Sequence, residues 1–358
     1  MSEFLRDWFV WCYLYLQHVF VMMYWVTIPG LLVCGFLSVR YRGVIRERLL
    51  RGGGGLRTLL YAIGLGMTAP ASRRESLARA STLMSGGVSP IAVMAYFIAS
   101  QSLGLYYLLL FTVLIGLEFG LGVLLGGLVM ILLIALSTAS VPFLSPPEKT
   151  AGETPNLKSQ EDLPTTWRGL LLSRRGWWAA VRDIGHLFKI LWLPSVGGLL
   201  LGGFILAADM RKAWPLPFWF GDEGVGSAIA SVFLGPLLSF ILFGSPLGNL
   251  IVAASIWKTW TLAYAGVLCF ILASSLHPLN LRSLMNLFGP RAEWHVGLTL
   301  YLSAALSGLA VIGLFELLGV EVTHVPWFEP LVKKIVMTLP FTMFGTGGMG
   351  LAGKMTGM

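Results

Sequence analysis

The stretch that decides the fold runs from Ala80 to Pro147 and reads ASTLMSGGVSPIAVMAYFIASQSLGLYYLLLFTVLIGLEFGLGVLLGGLVMILLIALSTASVPFLSPP. It contains one charged side chain, that of Glu118. A helix that crosses a bilayer needs about 20 predominantly apolar residues. A soluble domain cannot exclude charge for so long, because its helices and strands need a wetted face. The stretch therefore predicts two or three membrane passes.

The composition of the whole chain agrees with this reading. The sequence is 56% hydrophobic and 12% charged, whereas soluble domains carry roughly 25% charged residues. Only helices and closed barrels satisfy every backbone polar group in lipid, and barrel strands would alternate apolar and polar residues. The run from Leu121 to Leu136 is continuously apolar. We predict an all-α polytopic membrane protein with about eight to ten membrane segments.

The net charge of +8 is concentrated in a few places. Six arginines crowd one segment beside a single acid, Glu47: Arg40, Arg42, Arg46, Arg48, Arg51 and Arg57. Basic residues beside a membrane span mark its cytoplasmic side, so no nucleic-acid partner is expected. The three cysteines, Cys12, Cys34 and Cys269, lie far apart in apolar segments and form no CxxC pair. Neither a disulfide framework nor a metal site is predicted.

Composition divides the chain into four parts. Residues 1–144 are predicted to form a first membrane repeat, with a span from about Tyr13 to Leu37 that the arginine-rich loop follows. Residues 145–189 are predicted to be a cytoplasmic linker that ends in an amphipathic interfacial helix, Trp167 to Lys189. Residues 190–320 form a second membrane repeat, and residues 321–358 a C-terminal segment with a Gly/Met-rich tail.

The two membrane parts contain similar short segments. Phe97-Ile98-Ala99-Ser100 recurs, with one extra residue, as Phe270-Ile271-Leu272-Ala273-Ser274. Ile28-Pro29 and Leu193-Pro194 each lead into a glycine-containing span. The first of these spans enters the cytoplasm and the second leaves it, so the matched segments have opposite orientations. This pattern is typical of transporters built from two inverted repeats with broken or re-entrant helices.

Charged residues at a predicted helix start form the first candidate site. Arg73, Arg74 and Glu75 follow Ser72, which has the spacing of a capping box with Glu75. The free N–H groups of such a helix start attract anions, so these residues are candidates for a substrate gate. The alternative is that they are ordinary charges on the cytoplasmic surface.

Glu118 is the second candidate, because an ionisable residue within a membrane segment is costly and usually functional. It could accept a proton in a coupled transport cycle. The alternative is that Glu118 is a turn residue between two helices. The flanking Gly116 and Gly120 make this alternative as strong as the functional interpretation.

Polar residues that interrupt the apolar runs form the third candidate site. They could offer amide and hydroxyl groups to a substrate near the bilayer midplane, or they could simply pack and bond neighbouring helices. The residues are Ser100, Gln101, Ser245, Asn249, Ser274, His277 and Asn280. The chain shows no cofactor motif, no metal-ligand spacing and no nucleophile–base pair, so an enzyme is not expected.

These motifs together resemble the ArsP-type permease family of bacterial inner-membrane proteins. The resemblance rests on Gly87-Val88-Ser89-Pro90, on Gly116-Leu117-Glu118-Phe119, on Gly244-Ser245-Pro246 and on the paired Phe segments. It implies a multi-pass permease of the inner (plasma) membrane. Family members implicated in metalloid or metal efflux carry a Cys-x-Cys element in the first half. This chain has Ser72-Arg73-Arg74-Glu75-Ser76 there, and a soft metalloid needs thiolate ligands.

We therefore predict a divergent permease that moves a small solute or ion by alternating access. Efflux is one direction that this prediction includes. Its partners would be that substrate and membrane lipid, and homo-oligomer formation stays open. The alternative is a non-transporting membrane scaffold or assembly protein that retains the permease fold. The missing thiols favour the scaffold, whereas the polar breaks in both halves favour the permease.

Overall fold

A computed structural model describes residues 28–51, 55–68, 73–139, 167–210, 225–242, 246–259, 261–288 and 293–320, together with residues 5, 6, 8–10, 13 and 322. The described part of the chain is all-helical, as predicted. The predicted linker over 145–166, the tail after 322, and the residues Ser72 and Ser245 lie outside the described residues.

Within residues 28–51, 55–68 and 73–139, the first half contributes six helices, which we number in chain order. They are α1 (Ile28–Arg51), α2 (Leu56–Thr68), α3 (Arg73–Ser85), α4 (Pro90–Ser102), α5 (Leu105–Leu114) and α6 (Leu117–Ala139). The prediction of an interruption near Gly104 is confirmed, because α4 ends at Ser102 and α5 begins at Leu105.

The described part of the second half begins with a short helix, α7 (Trp167–Leu172). The next helices are α8 (Arg174–Met210), α9 (Val225–Ile241), α10 (Pro246–Lys258) and α11 (Tyr264–Leu272). A single 3-10 turn, Ala273–Leu276, interrupts the chain before α12 (Pro278–Phe288) and α13 (Glu293–Leu318).

Two predicted boundaries differ from the structure. The arginines from Arg40 to Arg51 lie on α1 rather than in a loop, because arginine is a good helix former and Leu49 on the same turn is fully buried. The predicted boundary at residue 189 falls inside α8, which is continuous from Arg174 to Met210. The break in that basic segment lies earlier, at Ser173, whose Oγ accepts the N–H of Gly176 at 2.9 Å.

Within the described residues, three helical segments are long and apolar enough to cross a membrane: Pro90–Leu114, Leu117–Ser137 and His295–Leu318. A fourth candidate is the pair Ile28–Tyr41 and Gly43–Leu50, bent by 40°. Apolar stripes are exposed on several helices, for example Ile229, Phe233, Leu237 and Ile241 at four-residue spacing on α9. Such stripes suit contact with lipid tails.

Contacts between the long helices fix their relative directions. Tyr264 Oη at the start of α11 donates to the carbonyl of Glu118 at the start of α6 at 2.9 Å, and Gly126 further along α6 lies against Leu272 at the end of α11. The two helices therefore run parallel. The single span Pro90–Leu114, which contains α4 and α5, runs along α6 in the opposite direction, since Leu103 lies against Gly127, whereas Thr112 lies against Gly120. Helices α4 and α11 are thus antiparallel.

Candidate functional site at two helix breaks

The first helix break follows from local sequence signals around α4. Ser89 Oγ caps the helix by accepting the N–H of Ala92 at 3.4 Å, and Pro90 occupies the first turn, where its missing N–H costs nothing. The helix ends when Gly104 takes an extended conformation, with φ −50° and ψ 130°. The chain continues in the same span as α5, so the break lies inside the apolar segment Pro90–Leu114.

The second break follows α11. The 3-10 turn Ala273–Leu276 is fully buried, and His277 then leaves the helical conformation with ψ 139°. The carbonyl of His277 accepts the N–H groups of Asn280 at 2.7 Å and Leu281 at 3.1 Å. The N–H of Asn280, in the first turn of α12, is therefore satisfied by the chain itself, and Leu281 makes the first regular helix bond.

The two breaks meet through direct hydrogen bonds. Ser102 at the end of α4 donates from Oγ to the carbonyl of Leu272 at 3.4 Å, and its Oγ lies 3.2 Å from Ser274 Oγ. Because α4 and α11 are antiparallel, their C-terminal ends face each other here. Asn280 Nδ2 then donates to the carbonyl of Ser274 at 3.1 Å, which ties α12 to the same place.

A third helix joins the meeting point through Ser76 on α3. Gln101 Nε2 donates to Ser76 Oγ at 3.0 Å, and the hydroxyls of Ser76 and Ser100 lie 3.1 Å apart. Ser100 donates its only hydroxyl proton to the carbonyl of Phe97 at 2.7 Å, so Ser76 supplies the proton between the two serines. We call these residues the serine cluster: Ser76, Ser100, Gln101, Ser102, Ser274 and Asn280.

The serine cluster is buried and uncharged. Each of its six residues is at most 2% exposed. Ser102 is the central residue of the 25-residue segment Pro90–Leu114, so the cluster lies halfway along a membrane span. Among the described residues, every fully buried polar side chain is a serine, threonine, asparagine or glutamine. The molecule therefore offers neutral hydrogen-bonding groups at mid-span.

Several buried oxygens around the second break have no protein partner. Within the described part of the second half, these side-chain oxygens are Asn249 Oδ1, Ser275 Oγ and Asn280 Oδ1. The orientation of Asn280 is fixed, because the carbonyl of Ser274 can only accept a hydrogen bond and so requires Nδ2. Asn249 Nδ2 donates to Ser239 Oγ on α9 at 3.2 Å, and α9 packs against the 3-10 turn. Unpaired buried oxygens indicate a ligand or water site.

The predicted site residues separate into two groups. Ser100, Gln101, Ser274 and Asn280 come together, and Asn249 lies on α10, which packs against α11. His277 adjoins them through its carbonyl. Arg73 and Arg74 lie on the first turn of α3, and nothing further is described of their side chains. Ser245 lies outside the described residues.

The side chains of the two predicted acids do not join the serine cluster, although Glu75 directly precedes Ser76 on α3. Glu75 Oε1 is 2.8 Å from His186 Nε2 on α8, with side chains 34% and 46% exposed, which supports the interpretation as surface charges. Glu118 is in the first turn of α6 beside the Tyr264 end of α11. Ten residues of helix separate Tyr264 from Ser274, which is about 15 Å. This position supports the interpretation of Glu118 as a turn residue.

The predicted site residues did not include Ser76, Ser102 or Ser239. Ser76 and Ser239 share a signal that could have revealed them. Each is a small polar residue on a helix face whose other residues are buried and apolar. Ser102 follows two residues that were predicted, and only the position of the helix end shows that it faces the second half.

Thiols are absent from the serine cluster. Cys34 is half-buried on α1, and Cys269 on α11 donates from its thiol to the carbonyl of Ala304 at 3.3 Å. Cys12 lies outside the described residues. In the part of the chain that the structure describes, no group of three or more His, Cys, Asp or Glu residues could hold a metal ion.

The fold and the site define a class: an all-helical membrane protein whose interrupted helices meet at buried polar groups. A family model described as "Predicted permease" and called ArsP_1 matches residues 13–313. The chain belongs to this family, as the resemblance predicted. Family membership indicates a transporter rather than an enzyme.

A relative of this chain is "Putative permease Rv2963" of Mycobacterium tuberculosis. It is 26% identical over 279 residues, which cover 72% of this chain and 66% of the relative. The chain thus spans just under two thirds of that protein's length. No solved structure matches the chain.

Proposed function

We propose that this chain is a permease that moves a small polar solute or ion across the membrane by alternating access, with the serine cluster in the substrate path. The observation that carries the proposal is the meeting of two interrupted helices through Ser102 and Ser274, halfway along a span. Non-helical backbone at membrane depth is tolerated where it is buried in protein or lines a cavity. Interrupted helices at the midplane form the substrate and ion sites of many transporters.

We further propose that residues 1–144 and 190–320 are two inverted repeats of a bacterial inner-membrane protein. When α1–α6 are paired in order with α8–α13, several helix–helix contacts have a counterpart between the paired helices. The contact of α2 with α4 corresponds to that of α9 with α11, and the contact of α5 with α10 corresponds to that of α12 with α3. Each pair α1–α8 and α6–α13 is in contact with its own counterpart. The antiparallel directions of α4 and α11 support an inverted relation.

Individual residues support the same pairing. Ser76 is the fourth residue of α3 and Asn249 the fourth residue of α10, and each is buried with its side chain hydrogen-bonded to a neighbouring helix. Gly66 lies against the carbonyl of Tyr96 and the N–H of Ser100, four residues apart. Gly235 lies in the same way against the backbone of Gly266 and Phe270.

A narrow cavity supports access to the break from one side. It is lined by Cys34, Gly35, Ser38, Met67, Thr68, Leu105, Tyr106 and Asp183. Leu105 is the first residue of α5, directly after the interruption. Asp183 Oδ2 lies 3.5 Å from Ser38 Oγ at this cavity, and the Ser38 hydroxyl donates to the carbonyl of Thr68. The cavity therefore reaches the start of α5 at the first break, and no residue of the serine cluster lines it.

The test does not require the substrate to be known. In a variant whose three cysteines are replaced by alanine, Gln101→Cys is exposed to a membrane-impermeant thiol reagent from each side of the membrane in turn. Alternating access predicts labelling from both sides. A matched control is Ser307→Cys, at a fully buried position on α13, which is expected to stay unlabelled. Protection of Gln101→Cys from both sides would instead favour a non-transporting scaffold.

A further inference from the structure

We infer that the second helix break binds a monovalent alkali cation, Na⁺ in particular, through Asn280 Oδ1 and Ser275 Oγ. The inference rests on the proposed function, in which this ion would be the coupling ion. The first observation is that both oxygens are buried, at 0% residue exposure, and have no hydrogen-bond partner among the described residues. Asn280 on α12 is bonded to the carbonyl of Ser274, the residue before Ser275, so both side chains belong to the second break.

The charge of the ligand follows from the helix ends at the break. Helices α4 and α11 direct their C-terminal ends towards each other, joined by the bond from Ser102 to the carbonyl of Leu272. The last carbonyls of a helix lack intrahelical partners and carry the negative end of its dipole. They are opposed by one helix start, that of α12, where the carbonyl of His277 already accepts the N–H of Asn280. The second break therefore favours a cation over an anion.

The valence of the ligand follows from the uncharged donors. Hydroxyl, amide and carbonyl oxygens are hard ligands that suit hard cations, and unwound carbonyls with helix C-terminal ends hold Na⁺ in transporters. A divalent ion buried at mid-span would need carboxylates to offset its desolvation. The serine cluster contains no carboxylate, and Glu118 lies at the far end of α11. A monovalent ion fits this set of donors.

The experiment measures cation binding by the purified full chain in detergent, without any substrate. Thermal unfolding is followed in NaCl, KCl and choline chloride at equal ionic strength. A bound ion stabilises the folded state by mass action, so we expect a saturable rise of Tm in Na⁺ that choline does not produce.

Ser275→Ala is the decisive variant. Its hydroxyl has no protein partner to leave unpaired, so Tm in choline should stay unchanged, whereas the Na⁺ concentration for half-maximal stabilisation should rise about tenfold, which is the loss of one good ligand. Ser255→Ala is the matched control, because this buried serine only donates to the carbonyl of Ile251 within α10. It should keep the Na⁺ response of the parent.

Two results would overturn the inference: no difference between Na⁺ and choline, or a Na⁺ response that persists unchanged in Ser275→Ala. Either would mean that the unpaired oxygens hold water only. Failure here is distinguishable from failure of the proposed function. Labelling of Gln101→Cys from both sides without a Na⁺ response would leave a permease that uses no Na⁺, and a Na⁺ response with Gln101→Cys protected would leave a cation site in a protein that does not transport.

Discussion

At the residue scale, Gln101 and Glu118 were both predicted to line the substrate path, yet their surroundings differ. Gln101 is 2% exposed, and its amide bonds to Ser76 on a different helix. Glu118 is half-buried at the junction of α5 and α6, and its backbone carbonyl accepts a hydrogen bond from Tyr264 Oη. The difference gives a pair of contrasting substitutions.

We expect Gln101→Ala to lower transport about tenfold or more. The change removes one buried hydrogen-bonding group, and each such loss costs about 1–3 kcal/mol. Ser76 keeps its bond to Ser100, so the fold should survive. Glu118→Gln keeps the side-chain volume and the backbone bond to Tyr264. Its transport rate should stay within about twofold of the parent, because a tenfold change would require a free-energy change of about 1.4 kcal/mol. The measurement is uptake of labelled small polar solutes into proteoliposomes.

A loss of uptake in Glu118→Gln, with Gln101→Ala unaffected, would contradict this assignment. Glu118 would then be the coupling group that its intramembrane position first indicated. The amount of folded protein in each variant, measured by size-exclusion chromatography, serves as the control for both substitutions.

At the element scale, glycines set how closely the spans approach each other. A Cβ atom on Gly66 would lie 2.7 Å from the carbonyl oxygen of Tyr96 and 2.9 Å from the backbone nitrogen of Ser100. A Cβ atom on Gly235 would meet the carbonyl of Gly266 even more closely, with the nitrogen of Phe270 at 3.0 Å. Both contacts are with backbone, which cannot move aside as a side chain can. Small residues at such positions allow helix backbones in a membrane to approach closely.

Helix α9 offers a matched pair of glycines for testing this. Gly235→Ala should destabilise the protein by about 1–3 kcal/mol, because overpacking displaces backbone. Gly226→Ala, on the same helix, meets nothing within 4 Å and should be neutral or slightly stabilising, since alanine favours the helix. The measurement is Tm of the purified protein. Equal Tm values for the two variants would show that α9 and α11 are not held at this point.

At the scale of the whole molecule, the two halves touch at their breaks through Ser102 and Ser274. Alternating access requires relative motion of the halves. In the variant whose native cysteines are alanine, Ser102→Cys with Ser274→Cys should therefore oxidise to a disulfide that stops solute uptake, and reduction should restore it. The hydroxyls of the two serines lie 3.2 Å apart, close enough for small adjustments to reach a disulfide length of about 2.05 Å.

Each single cysteine variant is the control for the crosslink, and oxidation should leave its uptake unchanged. Full uptake with the disulfide formed would mean that the two breaks move as one unit. The halves would then have to move at some other surface, such as the contact between α6 and α13.

The sequence by itself determined the membrane class, the interruption near Gly104 and the family. These features depend on local properties: the length of an apolar run, the turn chemistry of glycine and proline, and short motifs. It also identified the polar residues after each Phe segment as a set. It did not determine that α1 continues through the arginines to Arg51, or that α8 continues past residue 189. The reason is that an arginine-rich sequence can form a helix as readily as a loop.

Only the tertiary structure decided which polar residues meet. Ser102 and Ser274 are 172 positions apart and Gln101 and Ser76 are 25 apart, and their contacts depend on how Gly66 and Gly235 let the spans approach. The same packing leaves Glu118 at the opposite end of α11 from the serine cluster. Sequence patterns record which residues are polar and where helices stop. Which of them share a buried site is set by close packing between distant helices, and that information is spread over the whole chain.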